Sequence, residues 1–195
     1  MCYNNFKRSC LMPAREQQKI VSNVKRAERR DEKVSRVIMM CGLCGSGKTT
    51  YAKEREKEGY IRLSIDERMW MLYGREVLDM PHETYTNLEK QVEKELREEM
   101  LQQIAKGKDV ILDFSFWSKD SRSTYRRLIR EAGGTDQLVY LKADKELLRR
   151  RLRCRFQHPH ANGVPVTDER LEQYWAGFQE PQGEGEMVID QNGEC

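Results

Sequence analysis

No stretch of this 195-residue chain approaches the ~20 consecutive apolar residues that a bilayer-spanning helix requires, so no membrane span is predicted. The N-terminus also lacks the apolar core of a secretory signal. Its cysteines (Cys2, Cys10, Cys41, Cys44, Cys154 and Cys195) have no disulfide-framework spacing and read as reduced thiols, which predicts a cytoplasmic protein. Two groups resemble zinc sites on the surface. Cys41-Gly-Leu-Cys44 has C-x-x-C spacing but no second pair at zinc spacing, and Cys154, His158 and His160 lack a fourth ligand, so neither predicts zinc. Internal repeats and low-complexity tracts are absent. What remains is a chain long enough for one α/β domain and too short for two.

Acidic residues are scarce only at the start. Residues 1–36 hold ten Lys/Arg against four Asp/Glu, whereas residues 37–195 hold 25 against 28. The net charge of +3 therefore belongs to an N-terminal extension, residues 1–33, predicted to be helical or partly flexible. A basic arm suits a polyanion, but such a run more often is a solvated helix face.

The most informative stretch is Gly42-Leu-Cys44-Gly45-Ser46-Gly47-Lys48-Thr49, followed by Thr50. It fills every position of G-x-x-x-x-G-K-[ST], behind an apolar run ending at Cys41 and ahead of a predicted helix. In that setting successive backbone N–H groups cradle phosphate oxygens at a helix N-terminus. Lys48 is placed to reach the β- and γ-phosphates, and the Thr49 hydroxyl to ligate Mg²⁺. The segment predicts a nucleoside triphosphate site using ATP and Mg²⁺.

From Val34 onward, strand and helix patterns alternate: Val34–Cys41, Tyr60–Ile65, Val110–Asp113, Gln137–Leu141 and Glu186–Ile189 read as strands. The segment from Asp66 to Met80 reads as polar and aromatic. A long helix follows Pro81, apolar along Tyr85, Leu88, Val92, Leu96, Met100 and Ile104. This pattern predicts a doubly wound, five-stranded parallel sheet with helices on both faces, the P-loop NTPase fold.

Three further elements point to phosphoryl transfer. Asp113 closes an apolar strand, the place of a Mg²⁺-holding carboxylate, although a turn or helix-capping Asp also favours that position. Asp66, in Ser64-Ile-Asp66-Glu-Arg68, stands where ligands bind in such sheets and suits a general base, with Arg68 clamping the acceptor. Asp66 is equally suited to cap the next helix. Arg149-Arg-Arg151-Leu-Arg153-Cys-Arg155 puts five arginines in seven residues, with Arg151 and Arg155 one helical turn apart. This predicts an Arg-rich helical lid over about residues 149–167.

Together GLCGSGKTT, SIDER, VILDFSFWSKDSR and LLRRRLRCR resemble the P-loop kinases related to polynucleotide kinase, zeta toxin and chloramphenicol phosphotransferase. The resemblance spans about residues 36–190. It implies that Asp66 is the general base, that Arg68 binds the acceptor and that Asp113 lies at the Mg²⁺ end. It further implies that Arg122 points from the helix after strand three into the site, and that Arg151 and Arg155 are the paired lid arginines. Phe178–Pro181 resembles a segment near the adenine edge. Polynucleotide kinases of this branch carry Asn or Thr after the strand-three Asp, whereas this chain has Phe114-Ser-Phe116-Trp117. Those aromatics fit either a planar acceptor or core packing.

The leading expectation is transfer of the ATP γ-phosphate to a hydroxyl on a small molecule. A nucleic-acid 5′-hydroxyl is the less favoured acceptor, because only the N-terminal arm is basic. A guanine-nucleotide switch fits poorly: Lys142-Ala-Asp144 lacks the preceding Asn, and Asp113 is not followed by D-x-x-G spacing.

Overall fold

The structure, a computed structural model, describes residues 33–155 and 166–192. Apart from Lys33, the basic extension lies outside the described residues, as do His158, His160 and the lid stretch around them; the Arg155 side chain is likewise not described.

Strand β1 (Arg36–Cys41) leads through the glycine loop into α1 (Lys48–Lys57), then β2 (Ile61–Ser64) and α2 (Ile65–Tyr73). A 3₁₀ turn (Gly74–Leu78) precedes the long α3 (His82–Ala105), followed by β3 (Val110–Asp113) and α4 (Lys119–Glu131). The chain continues through β4 (Thr135–Lys142), α5 (Lys145–Arg155), α6 (Asp168–Gly177) and β5 (Met187–Asp190). Among the described residues these strands form one parallel sheet in the order β2-β3-β1-β4-β5.

The central strands are apolar at consecutive positions because both faces are covered. Val37, Met39, Leu112 and Leu138 pack with Val92, Leu96, Met100 and Ile104 of α3 and with Tyr125 and Ile129 of α4. Ile38, Met40, Ile111 and Val139 pack on the opposite face with Ala52 of α1. The buried positions of α3 recur every fourth residue, the apolar stripe the sequence predicts. A third cluster joins Leu43 of the glycine loop to Leu147 and Leu148 of α5 and Leu171 of α6.

The polar and aromatic segment from Asp66 to Met80 is helical over most of its length, and the reason is local. The Ser64 hydroxyl accepts a hydrogen bond from the Glu67 backbone N–H at 3.4 Å, so Ser64, not Asp66, is the N-cap of α2. Ser64-x-x-Glu67 is a capping-box spacing, and Met69 buries the inner face of the helix. The capping alternative for Asp66 is thereby overturned. Two more helices are capped farther on: Leu147 N–H donates to Asp144 Oδ1 at 2.7 Å, and Arg170 N–H donates to the Thr167 hydroxyl at 3.2 Å. No helix among the described residues is long and apolar enough to cross a membrane.

Candidate active site

The loop between β1 and α1 has the conformation its glycines permit. Gly42 has φ 138°, and a Cβ there would stand 2.8 Å from the Leu141 carbonyl oxygen, so a side chain would push the loop off β4. Gly47, with φ 97°, is the N-cap of α1 and supplies no side-chain cap, and the first turn carries no acid. The terminal amide donors and positive end of α1 are therefore left for an external anion. Ser46 Oγ in the same loop is buried without a hydrogen-bond partner. An orphaned hydroxyl inside a ring of amides fits a phosphate chain.

The Lys48 ammonium donates to the Leu43 carbonyl at 2.9 Å. Burial lowers the Lys48 pKa, opposed by the charges of Asp113, Cys44 and Asp66. On the other side of Lys48, Thr49 Oγ1 stands 3.4 Å from Asp113 Oδ1. A hydroxyl and a carboxylate in that pairing are the hard oxygen donors Mg²⁺ prefers. Burial pushes the Asp113 carboxyl up, while Lys48 and Arg62 pull it back. Thr50 is an exposed residue of the first turn of α1.

Arg62 is a residue the sequence reading missed. Its side chain, only 4% exposed, donates through Nη1 to Asp113 Oδ2 at 2.9 Å. Nη2 donates to Glu67, and Nε to Glu56 Oε2 at 3.2 Å. The β2–β3 register explains the approach: Arg62 pairs with Ile111 and Ser64 with Asp113, so Arg62 and Asp113 are diagonal neighbours on one face. An arginine two residues before the N-cap, on that face, was the available signal.

Asp66 is an exposed residue in the first turn of α2. It acts electrostatically on Lys48, on Tyr85 and on Glu89. Burial, Asp66 and Glu93 together raise the Glu89 pKa, and Glu93 accepts from the Tyr125 hydroxyl at 2.9 Å. Tyr174 of α6 feels both Cys44 and Glu89. Charged and phenolic groups of the glycine loop, α2, α3 and α6 thus lie within electrostatic range of one another. Arg68 turns to α3 and pairs with Glu99 at 2.8 Å.

One expectation is corrected, and one open alternative is decided. Arg122 does not point into the site: it is fully buried, and every nitrogen of its guanidinium donates to protein. Nη1 donates to the Phe116 and Gln179 carbonyls at 3.0 and 2.9 Å, Nε and Nη2 to Glu184 at 2.9 and 2.6 Å. Helical periodicity puts it on the same inward stripe as Tyr125 and Ile129. Phe114 and Phe116 are likewise core rather than an acceptor platform, with centroids 5.6 Å apart and Tyr125 edge-on to both. Phe116 adopts φ 38°, unusual for a side-chain-bearing residue. Its carbonyl is held by Arg122 and by the Cys41 thiol at 3.3 Å. That bend lets the Ser115 carbonyl accept from the Gly42 N–H at 3.3 Å, so Arg122 braces the glycine loop from behind. Burial raises the Cys41 thiol to about 11, an inert packing residue.

The arginine-rich helix divides by role. Arg151 Nη1 lies 3.4 Å from both the Gly45 carbonyl and Gln191 Oε1, alongside the glycine loop. Arg149 pairs with Glu146, with Asp168 at 3.3 Å and with Glu172 at 3.0 Å, and Arg153 pairs with Asp168 at 2.7 Å, tying α5 to α6. Among the described residues no group of three or more His, Cys, Asp or Glu is arranged to hold a metal ion. In the adenine-edge segment, the Gln179 N–H donates to the Trp117 carbonyl and Glu180 pairs with Lys142 at 3.0 Å.

A family profile described as an AAA domain matches residues 37–181. No curated protein matches the sequence. Among solved structures, a candidate kinase from Chloroflexus aurantiacus is similar at 19% identity, over 84% of this chain and 88% of that one, with a TM-score of 0.64. A gluconokinase from Sinorhizobium meliloti is similar at 18% identity over 82% and 83%, with a TM-score of 0.52. Chaetomium thermophilum Kti12, in complex with ADP-AlF3, is similar at 19% identity over 81% and 89%, with a TM-score of 0.54. At such identities the likeness establishes the fold, that of the P-loop kinases.

Proposed function

The chain belongs to the AAA domain family, and on that premise we propose that it transfers the γ-phosphoryl group of ATP to a hydroxyl of a small molecule. The observation that carries the reading is the glycine loop itself: an uncapped α1 N-terminus, an orphaned Ser46 hydroxyl and the Thr49–Asp113 pair beside Lys48. A phosphoryl group resting on Lys48 would lie within the field of both the metal-type carboxylate and the acid of α2.

The loop amides and Lys48 hold the phosphate chain, and Thr49 with Asp113 would hold the metal. A Mg²⁺ held there would supply positive charge against the charge developing on the phosphate oxygens. Asp66 receives the proton of the attacking hydroxyl and orients its oxygen toward the γ-phosphorus. Arg151, beside Gly45, is positioned to stabilise charge on the transferring group. Arg155 is proposed as its partner from one turn farther along α5. Arg68, already paired with Glu99, would form the rim of the acceptor site.

Asp66 lies within electrostatic range of Glu89 and Tyr85, so its surroundings are acidic. Acidic surroundings favour a neutral or cationic polyhydroxy compound and repel the phosphates of a polynucleotide. The gluconokinase, a neighbour named for a sugar acid, supports a polyhydroxy acceptor but not its charge.

Transfer from [γ-³²P]ATP into pooled sugars, nucleosides, hydroxylated antibiotics and 5′-hydroxyl oligonucleotides tests the proposal. Label in a small-molecule fraction is the expected result. Label only in oligonucleotides overturns the acceptor assignment, and no label with retained ATP binding overturns the transferase reading. With the labelled acceptor in hand, Asp66→Asn should bind nucleotide as the parent does and lose about 10²–10⁴-fold in transfer rate. Retained transfer would remove Asp66 from the mechanism.

A further inference from the structure

We propose that Arg62 is the positioning residue of the metal site: it grips one oxygen of Asp113 so that the other is presented to Thr49 and the incoming divalent cation. The inference rests on the reading of the loop as a Mg²⁺-nucleotide site, and it concerns a residue that no part of that reading uses.

Asp113 divides its two oxygens between different partners. Oδ2 accepts from Arg62 Nη1 at 2.9 Å, and Oδ1 faces Thr49 Oγ1 at 3.4 Å. With its side chain 2% exposed, Asp113 has no solvent to orient it. The carboxylate has one χ2 torsion left to choose, and Arg62 fixes it. Arg62 itself is anchored rather than mobile. Its three donor nitrogens go to three acids on three different elements: Glu56 in α1, Glu67 in α2 and Asp113 in β3. A guanidinium suits this role because its planar fork points in three directions at once, which an ammonium on a flexible stem does not reproduce.

The same anchoring argues against a competing picture in which Arg62 occupies the cation's place and must leave. Leaving would strand a buried guanidinium and separate it from Glu67 and Glu56 as well as Asp113. Arg62 approaches from the β2 side, diagonally across the ladder, whereas Thr49 approaches from α1. The two partners do not contend for one oxygen.

Arg62 therefore does for Asp113 what outer-shell partners do for ligands generally, and their loss costs about 10–100-fold in metal affinity. The test measures binding of a fluorescent N-methylanthraniloyl ATP analogue as Mg²⁺ is titrated. In Arg62→Met the Mg²⁺ midpoint should rise about 10–100-fold, while affinity for the analogue in EDTA stays near the parent's. Arg62→Lys should fall between. Should Arg62→Met melt before the assay temperature, Arg62→Met with Glu67→Gln removes one of the stranded charges and carries the same expectation. In an Asp113→Asn background, Arg62→Met should add nothing further, a non-additivity that general damage would not produce. An unchanged midpoint in a parent that does require Mg²⁺ overturns the proposal alone, and so does a lowered one, which would make Arg62 a competitor. A parent whose analogue binding ignores Mg²⁺ overturns the underlying site reading as well.

Discussion

Arg122 and Arg151 both stand against the glycine loop, one behind it and one beside it, and they are built differently. Arg122 is sealed in α4 with its nitrogens committed to Phe116, Gln179 and Glu184. Among the described residues Arg151, on α5, makes two long contacts of 3.4 Å, to Gly45 and Gln191. Its helix neighbours Arg149 and Arg153 hold α6 through pairs whose acids are about half exposed, 48% for Asp168 and 50% for Glu172. Arginine in a sealed position braces backbone, whereas arginine with slack contacts remains available to a ligand. Charge alone distinguishes neither.

Substitution should separate the two sharply. Arg151→Met removes a cation acting on the transferring group and should lower the turnover rate about 10³-fold with no resolvable change in melting temperature. Single-turnover transfer assays and calorimetry on the same preparation check both halves. A loss of stability without a rate defect would put Arg151 in the class of Arg122. For Arg122→Met the expectation reverses: about 3–5 kcal/mol of folding stability is lost, because Glu184 and two carbonyls are left without their donor. Urea unfolding measures it, and the molecules still folded at low temperature should bind nucleotide.

The smallest effect is in the pH response of the same brace. Hydrogen bonding to Arg122 holds the Glu184 carboxyl below its ordinary 4.5. A depressed folded-state pKa means that the pair's stabilisation is present above the unfolded value and is lost as pH falls through the folded one. Between about pH 5 and 3 the parent should therefore lose melting temperature more steeply than Glu184→Gln, which has no proton to gain there. Parallel slopes would show that the guanidinium does not hold that carboxylate charged.

The sequence made much of this legible, for identifiable reasons. Strand and helix order followed from apolar runs long enough to be buried on both faces, and the glycine loop from a fixed spacing. Direction was what stayed hidden. Arg122 was read as facing a ligand because the spacing of a motif says nothing about which stripe of a helix points inward, although Tyr125 and Ile129 already mark that stripe as core. Arg62 was passed over as one more polar position on a short strand. Its meaning depends on the β2–β3 register, which pairs Ser64 with Asp113 and is a tertiary fact. Phe114 and Phe116 were undecided on sequence, since an aromatic run after a strand is consistent with packing or with stacking on a ligand; burial of both decides for packing.

Trp117 gives the molecule an optical reporter of its own. The ring is half exposed, 49%, and its edge lies 3.0 Å from where a Cβ of Gly177 would stand, at the last turn of α6. Indole emission depends on how much water meets the ring, so any displacement of α6 relative to the loop after β3 should move the emission maximum. Trp175, with Lys145 over its ring at 5.3 Å, lies two residues away on the same helix and contributes its own signal. Replacing Trp175 with Phe would leave Trp117 as the probe of that helix end, and stopped-flow mixing with nucleotide could then time any movement there without an attached dye.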